Sequence, residues 1–141
     1  MRARKVKGLD PAAPLRPNAE RIVATRLAEL LELSGPALDP SAADAQHDLR
    51  IAAKRLRYVL EIVEPCFGPE AKAARKAAKE LQRVLGEMHD CDVMLPRATA
   101  ADSLRTLLQT RRELLFQRFR ELWLEEFERG TWSGLERSLR L

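Results

Sequence analysis

The segment from His47 to Arg57 reads HDLRIAAKRLR and sets His47, Arg50, Lys54 and Arg57 along one stripe of a helix, with no acid among them. Guanidinium forks, ammonium groups and imidazolium all donate hydrogen bonds from a positive charge. Their shared chemistry is the binding of anions, phosphate oxygens above all. Like charges three and four positions apart weaken a helix by about 0.2–0.5 kcal/mol per pair, so helix stability alone does not favour such a stripe. At about 100° per residue, those four side chains and Tyr58 fill one third of the helix, while Leu49, Ala52, Leu56, Val59, Leu60 and Val63 fill the opposite third. A second segment repeats the arrangement. Lys72, Arg75, Lys76, Lys79 and Arg83 fall on one side, and Ala74, Ala77, Ala78, Leu81, Val84, Leu85 and Met88 on the other.

Positioning the two stripes requires an antiparallel hairpin, and the connection Pro65-Cys66-Phe67-Gly68-Pro69 supplies it. Pro65 ends the first of the two helices and Pro69 suits the first turn of the second, so both basic faces can look the same way. The spacing predicts a first helix capped by Asn18 and running to about Leu33, with Val23, Leu27, Leu30 and Leu31 as its apolar stripe. Its charges read as solvated pairs such as Arg26 with Glu29, and Ser34-Gly35-Pro36 is expected to stop it. After a linker from Pro36 to Ala42, Ser41 and Asp44 resemble a capping box that starts a second helix, reaching from about Ala42 to Glu64. A third helix begins near Pro69 and passes Gly86, which costs about 1 kcal/mol against Ala in a helix interior. Gly86 lies on the cationic side, where a missing side chain permits close approach of a ligand or another helix. HDCDVML either continues this helix or restarts it after a kink, and Pro96 closes it. A fourth helix is expected from about Ala101 to Glu128, followed by a short final helix in TWSGLERSLRL.

The chain has 141 residues, the usual size of one domain, and is 45% apolar but only 5% aromatic. Richness in Ala, Leu, Glu, Arg and Lys favours helices, and no run alternates as a strand would. The expected fold is all-α: an antiparallel four-helix bundle over residues 18–141 with a short C-terminal helix, preceded by a flexible basic and Pro-rich arm over residues 1–17. The formal charge of +4 is modest but unevenly placed, since residues 50 to 83 hold Arg50, Lys54, Arg55, Arg57, Lys72, Arg75, Lys76, Lys79 and Arg83 against Glu61, Glu64, Glu70 and Glu80. Local density, more than the total, points to a polyanionic partner. Cys66 and Cys91 form no CxxC pair, and neither an export signal nor an apolar span of some 20 residues is visible. A cytoplasmic protein with free thiols, away from the membrane, is expected.

In the fourth helix Leu104, Leu107, Leu108, Leu114, Leu115 and Leu122 share a broad stripe, with Arg111 and Arg118 in its middle. Unpaired buried guanidinium is costly. Either these arginines pair with acids such as Glu121 or Glu125, or they point into a polar cavity and meet the same anion as the basic helices. Trp123, Phe127 and Trp132 read as core, or as a seam for another protein.

HDLRIAAKRLRYVLEI, followed after one hairpin by ELQRVLGEMHDCDVML, resembles the paired signatures of the CHAD family of histidine-containing α-helical domains. The match is strong from His47 to Leu95, about a third of the chain. It includes the His-Asp pair, the cations three, seven, eight and ten residues on, and the later LG and HD pairs. The resemblance implies binding of inorganic polyphosphate on a basic helical surface; from the residues alone, His47 and His89 read equally as ligand contacts or as satisfied structural histidines. Family members commonly hold two such repeats about a pseudo-twofold. This chain has one, most similar to the second repeat, and a homodimer or a separate chain would supply the other half. The resemblance also implies association with polyphosphate granules.

Polyphosphate is a flexible run of negative charge without bases to read, so a site for it needs many donors along a track. Arg50, Arg55 and Arg57 can fork onto phosphate oxygens; Lys54, Lys72, Arg75, Lys76, Lys79 and Arg83 extend the field, and His89, Arg111 and Arg118 complete the expected contact set. His47 binds best as imidazolium, and an unperturbed imidazole titrates near about 6.5. A bound polyanion favours the protonated ring, so affinity is expected to rise as pH falls from about 8 to 6. A His47→Ala variant that kept the whole pH dependence in a binding titration would reject that role. The rivals are nonspecific RNA or DNA binding through phosphate alone, and a metal-dependent phosphohydrolase of the HD type using His47-Asp48, His89-Asp90, Asp92 and Asp102. The basic helices offer few Asn or Gln side chains for reading base edges. Nine cations around a bare divalent metal are unfavourable. No Gly-rich phosphate loop, activated nucleophile or zinc spacing appears, so a protein that is not an enzyme and needs no cofactor or metal is expected.

Overall fold

A computed structural model describes residues 1–98 and 100–139 of the chain. Five α-helices follow in order: α1 (Leu15–Ala37), α2 (Ala43–Val63), α3 (Pro69–Met94), α4 (Asp102–Glu128) and α5 (Thr131–Ser138). Short 3₁₀ turns at Glu64–Cys66 and Leu95–Arg97 close α2 and α3. The fold is all-α, and among the described residues there is no strand. α3 packs against α2, α4 and α5, and α1 packs against α2. The cross-helix contacts run in reverse order: His47 meets His89 while Arg57 meets Gln82, and Arg112 meets Asp92 while Arg118 lies beside Glu80.

The α2–α3 hairpin has the expected local causes. Val63 ends α2, Pro65 sits in the 3₁₀ turn and Pro69 is the first residue of α3. Proline at that position lacks only an N–H that has no intrahelical partner in the first turn. α3 continues unbroken through Gly86 and the HDCDVM segment, and Pro96 falls in the turn that closes it. The core faces are those the periodicity marks. Leu49, Leu56 and Leu60 of α2 and Leu81, Leu85 and Met88 of α3 are fully buried, and each such side chain contributes about 1.5–3 kcal/mol. Ala71, Ala74, Ala77 and Ala78 are buried along α3, and these small side chains let its neighbours approach closely.

Several helix ends differ from expectation. α1 starts at Leu15, within the stretch assigned to the arm; Asn18 does not cap it, but accepts from the Asp10 N–H at 2.9 Å and donates to the Asp10 carbonyl at 2.7 Å. Ser34-Gly35-Pro36 does not stop α1 either. The helix runs on to Ala37 because that residue is fully buried and its carbonyl accepts from Gln46 at 3.2 Å. Ser41 forms no capping box with Asp44. Its N–H and hydroxyl instead donate to Asp39, at 3.0 and 2.8 Å, and hold that carboxyl below the usual carboxylate range. The Arg26–Glu29 pair is not solvated: Glu29 is 1% exposed and also faces Arg55.

α4 carries the largest correction. Leu104, Leu107 and Leu114 are exposed at 41%, 63% and 67%, and the buried side is Leu108, Phe116, Phe119, Leu122 and Trp123. The leucine count placed the inward face too far round the helix, because the aromatic side chains fill the space against α3. Trp123 and Trp132 are core, stacked at 5.7 Å, whereas Phe127 is 65% exposed. Gly130, at φ 72°, makes the left-handed turn that sends the chain from α4 into α5. Cys66 and Cys91 are free thiols, and burial pushes the Cys91 thiol up.

Candidate anion-binding groove

Between α2 and α3 lies an open groove of about 630 Å³. Arg50 and Arg57 line it from α2, and Arg75, Lys76, Lys79 and Arg83 from α3. Each helix buries its apolar stripe in the shared core, so the opposite stripes are turned to the same side of the hairpin. Arg75 and Asp90, which mark its extent on α3, are fifteen residues apart, about 22 Å of helix at about 1.5 Å per residue. Gln82, Gly86 and the carboxylates Glu80, Glu87 and Asp90 complete the lining.

These six cations are not equivalent. Arg57 lies 3.2 Å from Glu61 and donates to Gln82 at 2.9 Å, Arg75 donates to Glu64 at 2.5 Å, and Arg83 is bracketed by Glu80 and Glu87. The hydrogen bond from Arg83 holds the Glu80 carboxyl low, and Glu80 in turn raises Arg83. Among the described residues no carboxylate lies within ion-pair distance of Arg50, Lys76 or Lys79. Arg50 Nε is buried and makes no hydrogen bond within the protein. It sits across from Gly86, where an added Cβ would stand 3.5 Å from it in ordinary contact. Gly86 therefore lies against the buried Arg50 Nε without crowding it, and alanine would fit.

The other expected contacts fall elsewhere. Arg55 turns away from the groove toward α1, 3.6 Å from Glu29, and donates to the Met1 carbonyl at 2.9 Å. Five residues from Arg50 on a helix is about 140° round the axis, which explains its departure. Lys54 is exposed over the Tyr58 ring at 5.9 Å, and Lys72 lies beside Glu61, Glu64 and Phe67 at the hairpin end. His47 and His89 stack on each other, ring centroids 4.5 Å apart and planes 26° apart, on the Arg50 side of the hairpin. His47 Nδ1 is buried without a hydrogen bond. Arg111 and Arg118 are exposed and belong to no buried stripe. Arg111 reaches Glu87 at 3.6 Å rather than Glu121 or Glu125, and Arg118 lies in a neighbouring depression with Lys76 and Glu80. Among the described residues no three His, Cys, Asp or Glu side chains converge on a metal-sized site.

One arginine that sequence reasoning passed over does join the helices. Arg112 donates to Asp92 at 2.8 Å and to the side-chain oxygen of Gln46, which spends its amide on the carbonyls of Ala37 and Asp39. Gln46 precedes His47 and Asp92 follows His89 by three residues, so this knot fixes α2 against α3 where the histidines stack. Asp92 and Gln46 lie 20 and 66 residues from Arg112 in the chain, and no local spacing announces them.

No curated protein and no solved structure matches the chain. The family model described as the CHAD domain does, over residues 2–99, a stretch that includes α1, α2, α3 and every cation lining the groove. With that share of its length matched, the chain belongs to the CHAD domain family.

Proposed function

We propose that the protein binds inorganic polyphosphate without catalysis, along the groove between α2 and α3. CHAD domains are associated in general with polyphosphate binding. The observation that carries the reading for this chain is the gathering of Arg50, Arg57, Arg75, Lys76, Lys79 and Arg83 from two helices onto one groove. Forked guanidinium donors and mobile ammonium groups suit a flexible phosphate chain that presents oxygens on every side. The stacked imidazoles of His47 and His89 offer ring N–H donors on the Arg50 side of the hairpin. A second copy of the chain would enlarge the track. Exposed Leu104, Leu107 and Leu114 on α4 offer it an apolar face, with Arg111 among them. Among the described residues no helix is long and apolar enough to cross a membrane, and the proposed setting is the cytoplasm, at polyphosphate granules.

RNA is the second reading, favoured by one feature: Tyr58, 43% exposed with the Arg57 guanidinium 4.6 Å from its ring centroid, offers a stacking surface at the groove edge. The deciding experiment compares long-chain polyphosphate, orthophosphate and RNA at matched salt while recording mass in solution. Long-chain polyphosphate is expected to bind at least tenfold more tightly than RNA, with affinity falling steeply as salt rises, and the mass to be that of a dimer. RNA binding equal to or above polyphosphate, or affinity indifferent to salt, would reject the proposal. A monomer that binds normally would reject only the second copy.

A further inference from the structure

We propose that Glu80 and Glu87 are built-in competitors of the phosphate ligand, carboxylates that a polyanion must displace from Arg83 and that tune how tightly the groove holds it. The inference rests on the polyphosphate reading of the groove. Arg83 donates through Nε and Nη2 to the two oxygens of Glu80, at 3.1 and 2.6 Å, and through Nη1 to Glu87 at 3.2 Å. Glu87 also reaches Arg111 across the helix pair at 3.6 Å, and the charge of Arg118 acts on Glu80. Reading across α3 and α4, the charges alternate: Arg118, Glu80, Arg83, Glu87, Arg111. A phosphate in the groove finds Arg50, Lys76 and Lys79 without carboxylates but finds Arg83 already occupied.

The physical consequence is a change in ion counting. Each phosphate neutralised by a protein cation sheds condensed counterion, giving a slope of about −0.7 in log affinity against log salt for a single-stranded polyanion. Each carboxylate displaced from an arginine stays in the groove and takes a cation back from solution. One phosphate bound at Arg83 displaces two carboxylates, so binding there flattens the salt dependence instead of steepening it. The pairs themselves are solvent-exposed and individually worth little, so they are easily opened and contribute little to the fold. Their position on the groove wall gives them an effect on the ligand out of proportion to that worth.

The test uses Glu80→Gln and Glu87→Gln, singly and together. Glutamine keeps the shape and an acceptor oxygen for Arg83 while removing the charge. Long-chain polyphosphate affinity is measured across a salt series, with Glu113→Gln/Glu128→Gln on α4 as a variant of equal net charge whose substitutions lie outside the groove lining. The double groove variant is expected to bind up to about tenfold more tightly and to steepen the slope by about 1.4, half of that for each single change. The control is expected to move affinity less than threefold and to leave the slope unchanged. Equal gains in the control would show that net charge alone is responsible and would overturn the proposal. Weaker binding by the groove variants would overturn it as well, showing that the carboxylates hold Arg83 in place for the ligand. A wild-type protein that bound no polyphosphate would instead reject the parent reading, since there would be no slope to compare.

Discussion

A variant carrying Arg50→Gln, Lys76→Gln and Lys79→Gln is expected to lose about two orders of magnitude in affinity for long-chain polyphosphate while folding normally. These three are the groove cations with no carboxylate at ion-pair distance among the described residues, so no internal anion stands between them and a ligand. Charge-assisted hydrogen bonds are worth about 1.5–3 kcal/mol when shielded, and about 1 kcal/mol each is a fair figure for an open groove. Three such losses amount to about 3 kcal/mol, or somewhat more than a hundredfold. Glutamine retains part of each apolar stem, so packing against the helices changes little. The salt slope should flatten by about 2, because roughly three fewer phosphates are neutralised. Lys54→Gln, on the same helix but outside the groove lining, should shift affinity less than threefold. Isothermal titration across a salt series measures both quantities. A triple variant that bound like the wild type would show that the phosphate track runs elsewhere.

The second large effect concerns stability. Arg112→Ala is expected to destabilise the fold by about 3 kcal/mol, with a fall in Tm of about 10 °C in a thermal melt. Arg112 is only 12% exposed at its side chain, and Gln46 is 3% exposed. Truncation leaves the Gln46 side-chain oxygen buried without its donor and removes the partner of Asp92, and breaking a buried charged pair costs more than never having formed it. Arg112→Lys should recover less than half of the loss, since a point charge cannot meet Asp92 and Gln46 with one planar fork. Because the knot flanks His47 and His89, nuclear magnetic resonance signals of both imidazoles should shift in Arg112→Lys even where the fold survives. A melt within 1 °C of the wild type would show that the knot carries no load.

Much of the site was legible without coordinates, because its causes are local. A cation every three or four residues opposite an apolar stripe is a property of one helix, and Pro65 and Pro69 define the hairpin from within a five-residue loop. Hence Arg50, Arg57, Arg75, Lys76, Lys79 and Arg83 could be assigned to one face by counting. The signature from His47 to Leu95 is contiguous in the chain apart from that hairpin, and it pointed to the family. Even the Arg83 carboxylates were within reach, at three and four residues' spacing.

The features that could not be read are those in which distant segments choose between partners. Arg55 has the same residue type and helix as Arg50, but Glu29 on α1 claims it, 26 residues away. The face that α4 turns inward depends on where Phe116, Phe119 and Trp123 find room against its neighbours, so a stripe of leucines chosen by number alone was misphased. α1 overran its expected stop because Ala37 gains a buried place and a hydrogen bond from Gln46, and this outweighs the local preference of Gly35 and Pro36. By itself, then, the sequence determined the helices, the hairpin and the sign of the charge on its open face, all governed by backbone geometry within a few residues. Only the tertiary structure decided that Glu29 on α1 takes Arg55 while Arg50 stays free, that Glu87 also reaches Arg111, and which face α4 turns inward, because those choices are settled by packing between helices.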